Sequence, residues 1–178
     1  MTPEQLKALV RTVPDFPAAG IQFRDITTLI GHGEGLAATV AWLADRARES
    51  GAEAVAGMEA RGFIFGAAVA VELGVGFVPV RKKGKLPHET VGMPYSLEYG
   101  ADEIEVHKDA VSRGERVLLV DDLVATGGTA EAAVKLLSSL GAEVVAACFI
   151  IDLPDLGGAD KIRRLGVPVR TLVSFAGH

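Results

Sequence analysis

Two adjacent carboxylates precede a short run of small and hydroxyl-bearing residues in the segment VLLVDDLVATGGT, residues 117–129. Asp121 and Asp122 end an apolar run that predicts a buried strand, and a helix is predicted to begin directly after the glycines. Backbone N–H groups at a helix start bind anions, and the hydroxyls of Thr126 and Thr129 add further donors. The pattern therefore predicts a phosphate site beside two acids that suit sugar hydroxyls or magnesium. The alternative is that Asp122 or Thr126 only caps the helix.

Cationic side chains stand at two other predicted strand ends. Arg61 lies in EARGF at the start of a predicted helix, where its guanidinium could bind two phosphate oxygens or instead pair with Glu59. A basic cluster further along the chain consists of Arg81, Lys82, Lys83 and Lys85. Such clusters are usually solvated surface, but this one follows a strand in an acidic protein, so it favours a local site for diphosphate.

Apolar strands alternate with amphipathic helices along the chain. Strands are predicted over residues 53–58, 76–82, 116–122, 143–151 and 169–175, and helices over 35–49, 62–73 and 129–140. This alternation predicts an α/β fold with a mostly parallel twisted sheet flanked by helices. Ligands of such sheets bind beyond the carboxyl ends of the strands, where the acids and cations stand. Residues 83–104 lack sustained periodicity and are predicted to form a long functional or mobile loop.

Composition and length restrict the class of protein. The chain has 178 residues, of which 49% are hydrophobic and 23% charged, with a net charge of −5. This is the size of one domain, and the negative charge gives no overall attraction to nucleic acid. The longest apolar stretch, residues 62–71, is about half of what a bilayer span needs, and the single Cys148 offers neither an internal disulfide nor a zinc site. We therefore expect one cytoplasmic domain without nucleic-acid or membrane partners.

Five segments occur in the order and at the spacing of one enzyme family. They are DFPAAGIQFRDIT (15–27), EARGFIFG (59–66), RKKGKLP (81–87), YSLEYG (95–100) and the acidic segment 117–129. Together they resemble the type I phosphoribosyltransferases, in particular the branch that acts on adenine. The resemblance implies transfer of the phosphoribosyl group from 5-phosphoribosyl 1-diphosphate (PRPP) to adenine, which yields AMP and diphosphate. It also implies Mg²⁺ bound mainly through PRPP, a homodimer, a small base-binding hood from about residues 10–30 and 150–160, and a flexible lid over residues 83–104.

The resemblance further implies a role for particular residues. Catalysis is assigned to Glu98, Arg61 and Tyr99. PRPP binding is assigned to Asp121, Asp122, Ala125, Thr126, Gly127, Gly128, Thr129, Arg61, Lys82 and Lys85. Adenine binding is assigned to Ile21, Gln22, Arg24 and Leu153, with the backbone of Gln22 reading the edge of the base. No protein side chain is assigned to a metal, and an unusual cis peptide is expected between Ala60 and Arg61.

Three other functions remain open from the sequence. The phosphate site cannot distinguish adenine from another purine base, because only segments 15–27 and 95–100 resemble the adenine branch. A PRPP-sensing regulatory protein could keep the fold without catalysis. A plain nucleotide-binding module would bind AMP without turnover.

Overall fold

The structure is a computed structural model that describes residues 1–97 and 99–178. Its strands are β1 (Arg11–Pro14), β2 (Gln22–Asp25), β3 (Ala54–Met58), β4 (Gly76–Lys82), β5 (Thr90–Ser96), β6 (Ala101–His107), β7 (Arg116–Val124), β8 (Glu143–Asp152) and β9 (Val169–Ser174). Its helices are α1 (Pro3–Leu9), α2 (Thr27–Ile30), α3 (Gly33–Ser50), α4 (Arg61–Leu73), α5 (Gly128–Ser139) and α6 (Gly158–Arg163), with a 3-10 turn at Pro154–Leu156. Within the described ranges, no helix combines the length and the apolarity that crossing a membrane requires.

A large sheet has the strand order β5-β6-β4-β3-β7-β8-β9. Its strands from β4 to β9 in that order run parallel, and β6 and β5 are added antiparallel at one edge. Helices α5 and α6 pack on one face, and α1, α3 and α4 pack on the other. Every residue of β3 is consequently buried, which explains its continuous apolar sequence. The predicted α/β fold with a mostly parallel sheet is confirmed.

Residues 83–104 do not form the irregular loop that the sequence predicts. Most of the segment forms the antiparallel hairpin of β5 and β6, in which Tyr95 lies opposite Asp102. The strand pattern of β5 is weak because its residues alternate only between half-buried and exposed positions, and because Gly92 and Pro94 interrupt it. The movement of this segment as a lid stays a prediction.

A separate two-stranded sheet, β1-β2, carries the first of the five segments. Asp25 at the end of β2 accepts hydrogen bonds from the backbone and side chain of Thr27 and forms an ion pair with Arg11. These contacts, those of Thr27 first, lower the pKa of Asp25 to about 2. The carboxylate therefore fastens β2 to both β1 and the start of α2, and β2 faces the carboxyl ends of β7 and β8.

Candidate active site

The turn between β7 and α5, residues 125–127, presents an uncapped helix start. Gly127 has φ +83°, and among the described residues no side chain forms a hydrogen bond that caps α5. A Cβ atom on Gly127 would lie 2.7 Å from the carbonyl oxygen of Gly158, so both the backbone angle and the close approach of α6 require glycine. Because the first N–H groups of a helix have no partner within it, this start is available to an anion.

A cavity of about 250 Å³ opens in front of this turn, and we call it the strand-end cavity. It is lined by Glu59, Lys82, Tyr95, Asp121, Leu123, Val124, Ala125, Gly127, Gly128, Thr129 and Ala130. Six of the residues predicted to bind PRPP thus share one cavity: Lys82, Asp121, Ala125, Gly127, Gly128 and Thr129. The other four, Arg61, Asp122, Thr126 and Lys85, do not line it. The space around Gly128 does not require glycine, since a Cβ atom there would lie 3.8 Å from the carbonyl oxygen of Ser96, an ordinary van der Waals distance.

The two adjacent acids differ in their surroundings. Asp122 is buried, and its Oδ2 accepts a hydrogen bond from the Nε of Arg61, the first residue of α4. Asp121 faces the strand-end cavity, and its Oδ1 accepts the backbone N–H of Asp122 at 2.8 Å. Burial raises the pKa of Asp121 well above its ordinary value, and the neighbouring charge of Asp122 raises it further. The charge of Asp122 is therefore compensated by Arg61, whereas the surroundings of Asp121 favour its protonated form.

The sequence left open a pairing of Arg61 with Glu59, and that alternative is wrong. Glu59 instead forms an ion pair with Arg81 at 3.3 Å and accepts the backbone N–H of Lys82 at 2.6 Å. The expected cis peptide between Ala60 and Arg61 is also wrong by one position, since the cis bond joins Glu59 to Ala60. Arg61 is already the first helical residue, so the irregular turn ends before it.

The basic cluster is largely paired with nearby acids. Beyond the contact of Arg81 with Glu59, Lys82 pairs with Asp102 at 3.1 Å and Lys83 with Glu103 at 3.0 Å. Lys85 is exposed in the turn before β5. The local excess of positive charge is therefore smaller than the sequence alone predicts, because β6 places its acids beside these cations.

A second, mostly apolar cavity of about 330 Å³ lies between β2 and the ends of β7 and β8, and we call it the apolar cavity. It is lined by Ile21, Gln22, Phe23, Arg24, Arg61, Leu123, Leu153, Leu156 and His178. The structure therefore brings all four predicted adenine-binding residues to one cavity: Ile21, Gln22, Arg24 and Leu153. Leu123 lines this cavity and the strand-end cavity alike, so the two adjoin at the end of β7.

His178 lines the apolar cavity, and the sequence does not predict its part in that wall. The backbone N–H of Gln22 donates to the carbonyl oxygen of His178 at 3.0 Å, and the N–H of Gly177 donates to Asp155 at 2.7 Å. Arg24 donates to the side chain of Thr12 at 2.6 Å and stacks on Phe175, with 4.5 Å to the ring centroid. The Gln22 N–H is thus already bonded within the protein. No local sequence pattern predicts the hydrogen bond between Gln22 and His178, because the two residues are far apart in the sequence.

Of the two predicted catalytic residues of YSLEYG, Glu98 and Tyr99, the structure describes only Tyr99. Glu98 lies outside the described residues. Tyr99 is 88% exposed near the tip of the β5-β6 hairpin and lines neither cavity. Tyr95, which the sequence did not single out, does line the strand-end cavity.

The sequence and the fold are both similar to those of known phosphoribosyltransferases. Residues 29–169 match the phosphoribosyl transferase domain family. The chain is 65% identical to the adenine phosphoribosyltransferase of Erythrobacter litoralis over 178 residues, which is 100% of both chains. It superposes on the adenine phosphoribosyltransferase crystal structure from Thermoanaerobacter pseudethanolicus with a TM-score of 0.93 at 46% identity, covering 98% of this chain and 100% of that one. The enzyme from Saccharomyces cerevisiae, solved with adenine and an imino-altritol bisphosphate, gives 0.91 at 38% identity, with 96% and 98% covered.

Proposed function

The chain belongs to the phosphoribosyltransferase family, and from this membership we propose that it converts adenine and PRPP to AMP and diphosphate. One observation of the site carries the proposal most directly. A polar cavity at the start of α5 adjoins an apolar cavity of about 330 Å³ at Leu123, so a sugar phosphate and a flat base could meet at the end of β7.

The strand-end cavity is suited to the sugar phosphate. The 5′-phosphate is assigned to residues 125–129, where free N–H groups and the positive end of the α5 dipole favour an anion. The ribose hydroxyls are assigned to Asp121 and Asp122 as hydrogen-bond acceptors. Asp121 faces the cavity as this role requires, whereas Asp122 reaches the sugar only if its bond to Arg61 is rearranged or shared.

The chemical step exchanges two groups at C1′ of the ribose. The bond from C1′ to the diphosphate oxygen breaks with its electron pair, a bond from a base nitrogen to C1′ forms, and the base loses one proton. Positive charge grows on the sugar ring and negative charge on the leaving diphosphate, so cations placed in advance lower the barrier. Arg61 is assigned to the diphosphate, since its side chain is half exposed beside Asp122 and keeps donors for a second anion.

Base recognition is assigned to the apolar cavity. Ile21 and Leu153 lie on its walls, as a sandwich around a purine ring needs. A backbone contact from Gln22 to the base requires that its N–H leave the carbonyl of His178, because one N–H cannot make two good hydrogen bonds. Arg24 is engaged with Thr12 and Phe175, so its side chain serves to fix the cavity wall.

The proton transfer and water exclusion are assigned to the β5-β6 hairpin. Glu98 is proposed to take the proton from the base, and Tyr99 to shield the site when the hairpin moves over it as a lid. Exclusion of water prevents hydrolysis of PRPP during the reaction. Because Tyr99 is exposed and lines neither cavity, this role requires the hairpin to move toward the site.

Magnesium is proposed to enter with PRPP and to be bound mainly through PRPP itself. In the described part of the chain, no three His, Cys, Asp or Glu side chains are grouped closely enough to hold a metal ion, and Asp121 is the carboxylate best placed to assist. When bound, Mg²⁺ would supply positive charge to the leaving diphosphate. We also propose a cytoplasmic homodimer, following the family resemblance, and sedimentation of the purified protein would measure its oligomeric state.

The decisive experiment measures diphosphate release from PRPP with each purine base supplied in turn. Release with adenine, well above that with hypoxanthine, guanine or xanthine, is expected. A stronger reaction with another base would identify a different purine transferase. PRPP binding without release with any base would support the regulatory alternative, and AMP binding alone would support the nucleotide-binding module.

A further inference from the structure

Three polar side chains on the antiparallel edge of the sheet form one cluster beside the strand-end cavity. A single oxygen of Asp102, Oδ2, accepts a hydrogen bond from the hydroxyl of Tyr95 at 3.2 Å and lies 3.1 Å from the ammonium nitrogen of Lys82. Tyr95 and Lys82 line the strand-end cavity together with Asp121 and Thr129. The cluster is therefore part of the wall of the proposed PRPP site, although neither Tyr95 nor Asp102 has been given a role there.

The register of β4, β5 and β6 creates this cluster. Tyr95 lies directly opposite Asp102, and Lys82 lies directly opposite Ile104, two positions further along β6. Side chains at alternate positions of a strand share a face, so Tyr95, Asp102 and Lys82 all project toward the α5 side. The adjacent pair of Lys83 and Glu103 consequently lies on the opposite face of the same strands.

The ion pair is poorly explained as a device for stability. The side chain of Lys82 is 56% exposed and that of Asp102 is 29% exposed, and exposed pairs contribute little to folding. What the contact does is restrict a long side chain that otherwise populates many rotamers. The hydrogen bond from Lys82 to Asp102 also raises the pKa of Lys82, so the ammonium stays charged.

We propose that Asp102 and Tyr95 are positioning residues that hold the Lys82 ammonium at the strand-end cavity, ready for the diphosphate group of PRPP. The inference rests on the proposed function. An ammonium group has three N–H donors, so the bond to Asp102 leaves two for phosphate oxygens. The hydroxyl of Tyr95 fixes the carboxylate in turn, and the entropy lost on binding is smaller because Lys82 is already ordered.

The test compares Lys82→Ala, Asp102→Asn, Tyr95→Phe and the double variant Lys82→Ala/Asp102→Asn. Lys82→Ala removes the ammonium and should raise the KM for PRPP about tenfold. Asp102→Asn loses the orientation of the ammonium and should raise this KM about fivefold, and Tyr95→Phe should raise it about twofold. The KM for adenine and the thermal midpoint should not change. Glu103→Gln is the matched control, because it makes the same chemical change at the neighbouring ion pair on the other face and should leave the KM for PRPP unaltered.

The double variant separates positioning from general loosening of the hairpin. If Asp102 acts through Lys82, the double variant binds PRPP as poorly as Lys82→Ala alone. Additive effects, an equal effect of Glu103→Gln, or tighter PRPP binding by Asp102→Asn would each overturn the proposal. Calorimetric titration with PRPP and Mg²⁺ gives the same comparison without turnover. If the protein released no diphosphate, the proposed function would be contradicted. The calorimetric titration would still show whether Asp102 and Tyr95 position Lys82 for PRPP.

Discussion

Arg61 and Asp122 form an ion pair that joins the start of α4 to the end of β7. The carboxylate is buried while the guanidinium is half exposed, so the arginine compensates an internal charge and still faces the apolar cavity. This arrangement places a cation on the wall of the apolar cavity, which adjoins the strand-end cavity at Leu123. Pre-positioned charge of this kind is what departure of a diphosphate requires.

Arg61→Ala is expected to lower kcat/KM by roughly two to three orders of magnitude, as removal of a charge-stabilising donor typically does. The fold should survive at a lower thermal midpoint, because the substitution leaves the buried carboxylate of Asp122 without its cation. Initial rates of AMP formation and the thermal midpoint are the measurements. Arg48→Ala is the control, since Arg48 is 52% exposed in a surface pair with Asp45, compared with 50% for Arg61. Activity equal to that of the unmodified protein would remove Arg61 from the mechanism.

Asp121→Asn should stabilise the protein at neutral pH while it weakens PRPP binding. The pKa of Asp121 is raised above 3.8, so between 3.8 and that raised value the folded state binds more protons than the unfolded chain. Stability therefore falls as pH rises through this window, and the neutral amide escapes the loss. Urea unfolding should show a higher midpoint for the variant at pH 7 and no difference near pH 3.

The neighbouring substitution Asp122→Asn provides the contrast. It removes the charge that compensates Arg61, so it should give no gain in stability at pH 7. A stabilising Asp122→Asn, or an Asp121→Asn variant whose urea midpoint is unchanged at every pH, would contradict the difference between the two acids.

The strands and the strand-end acids could be predicted because both depend on short segments. Buried parallel strands need continuous apolar residues, and β7 shows this directly before Asp121 and Asp122. The partners of the basic cluster could not be predicted in the same way. The contact of Lys82 with Asp102 depends on the register of β4, β5 and β6, and that register follows from a hairpin whose β5 strand is interrupted by Pro94.

Around the apolar cavity, too, some residues could be predicted from the sequence and some contacts could not. The family resemblance predicts that Ile21 and Leu153 bind the base, and the two residues do share a cavity. The bond from Gln22 to His178 had no detectable signal, because a backbone carbonyl is common to every residue and carries no trace in the sequence. Contacts made by the backbone across long separations have to be observed in the folded protein.

Glu98→Gln is expected to slow the chemical step more than it weakens substrate binding. The amide keeps the shape of the side chain but cannot accept the proton, a loss of about two to four orders of magnitude for an essential base. Rapid-quench measurement of AMP formation in a single turnover isolates this step. Glu89→Gln, a change of an exposed residue just before β5, serves as the control. An unchanged single-turnover rate for Glu98→Gln would show that another group takes the proton.

Cys148 is expected to resist thiol reagents in the folded protein. The residue is fully buried in β8, and burial raises its pKa to about 12, so almost no thiolate exists at pH 8. Absorbance of the released thiolate of a disulfide reagent should show slow labelling in buffer and one rapidly labelled thiol in urea. Rapid labelling of the native protein would mean that β8 opens far more often than a strand paired on both sides should.

Gly127→Ala should abolish tight PRPP binding, whereas Gly157→Ala should not. Both glycines have positive φ, +83° and +76°, so each substitution carries a similar backbone cost of about 1–2 kcal/mol. They differ in the space available for a Cβ atom. At Gly127 it would lie 2.7 Å from the carbonyl oxygen of Gly158, whereas at Gly157 it would have no atom of the described residues within 4 Å. The methyl group at Gly127 must therefore push the 125–127 turn away from α6 and misalign the N–H groups at the start of α5. Calorimetric titration with PRPP, alongside urea unfolding of both variants, separates this displacement from the shared backbone cost. Equal losses of PRPP affinity in the two variants would show that backbone strain, and not the close approach of α6, governs this turn.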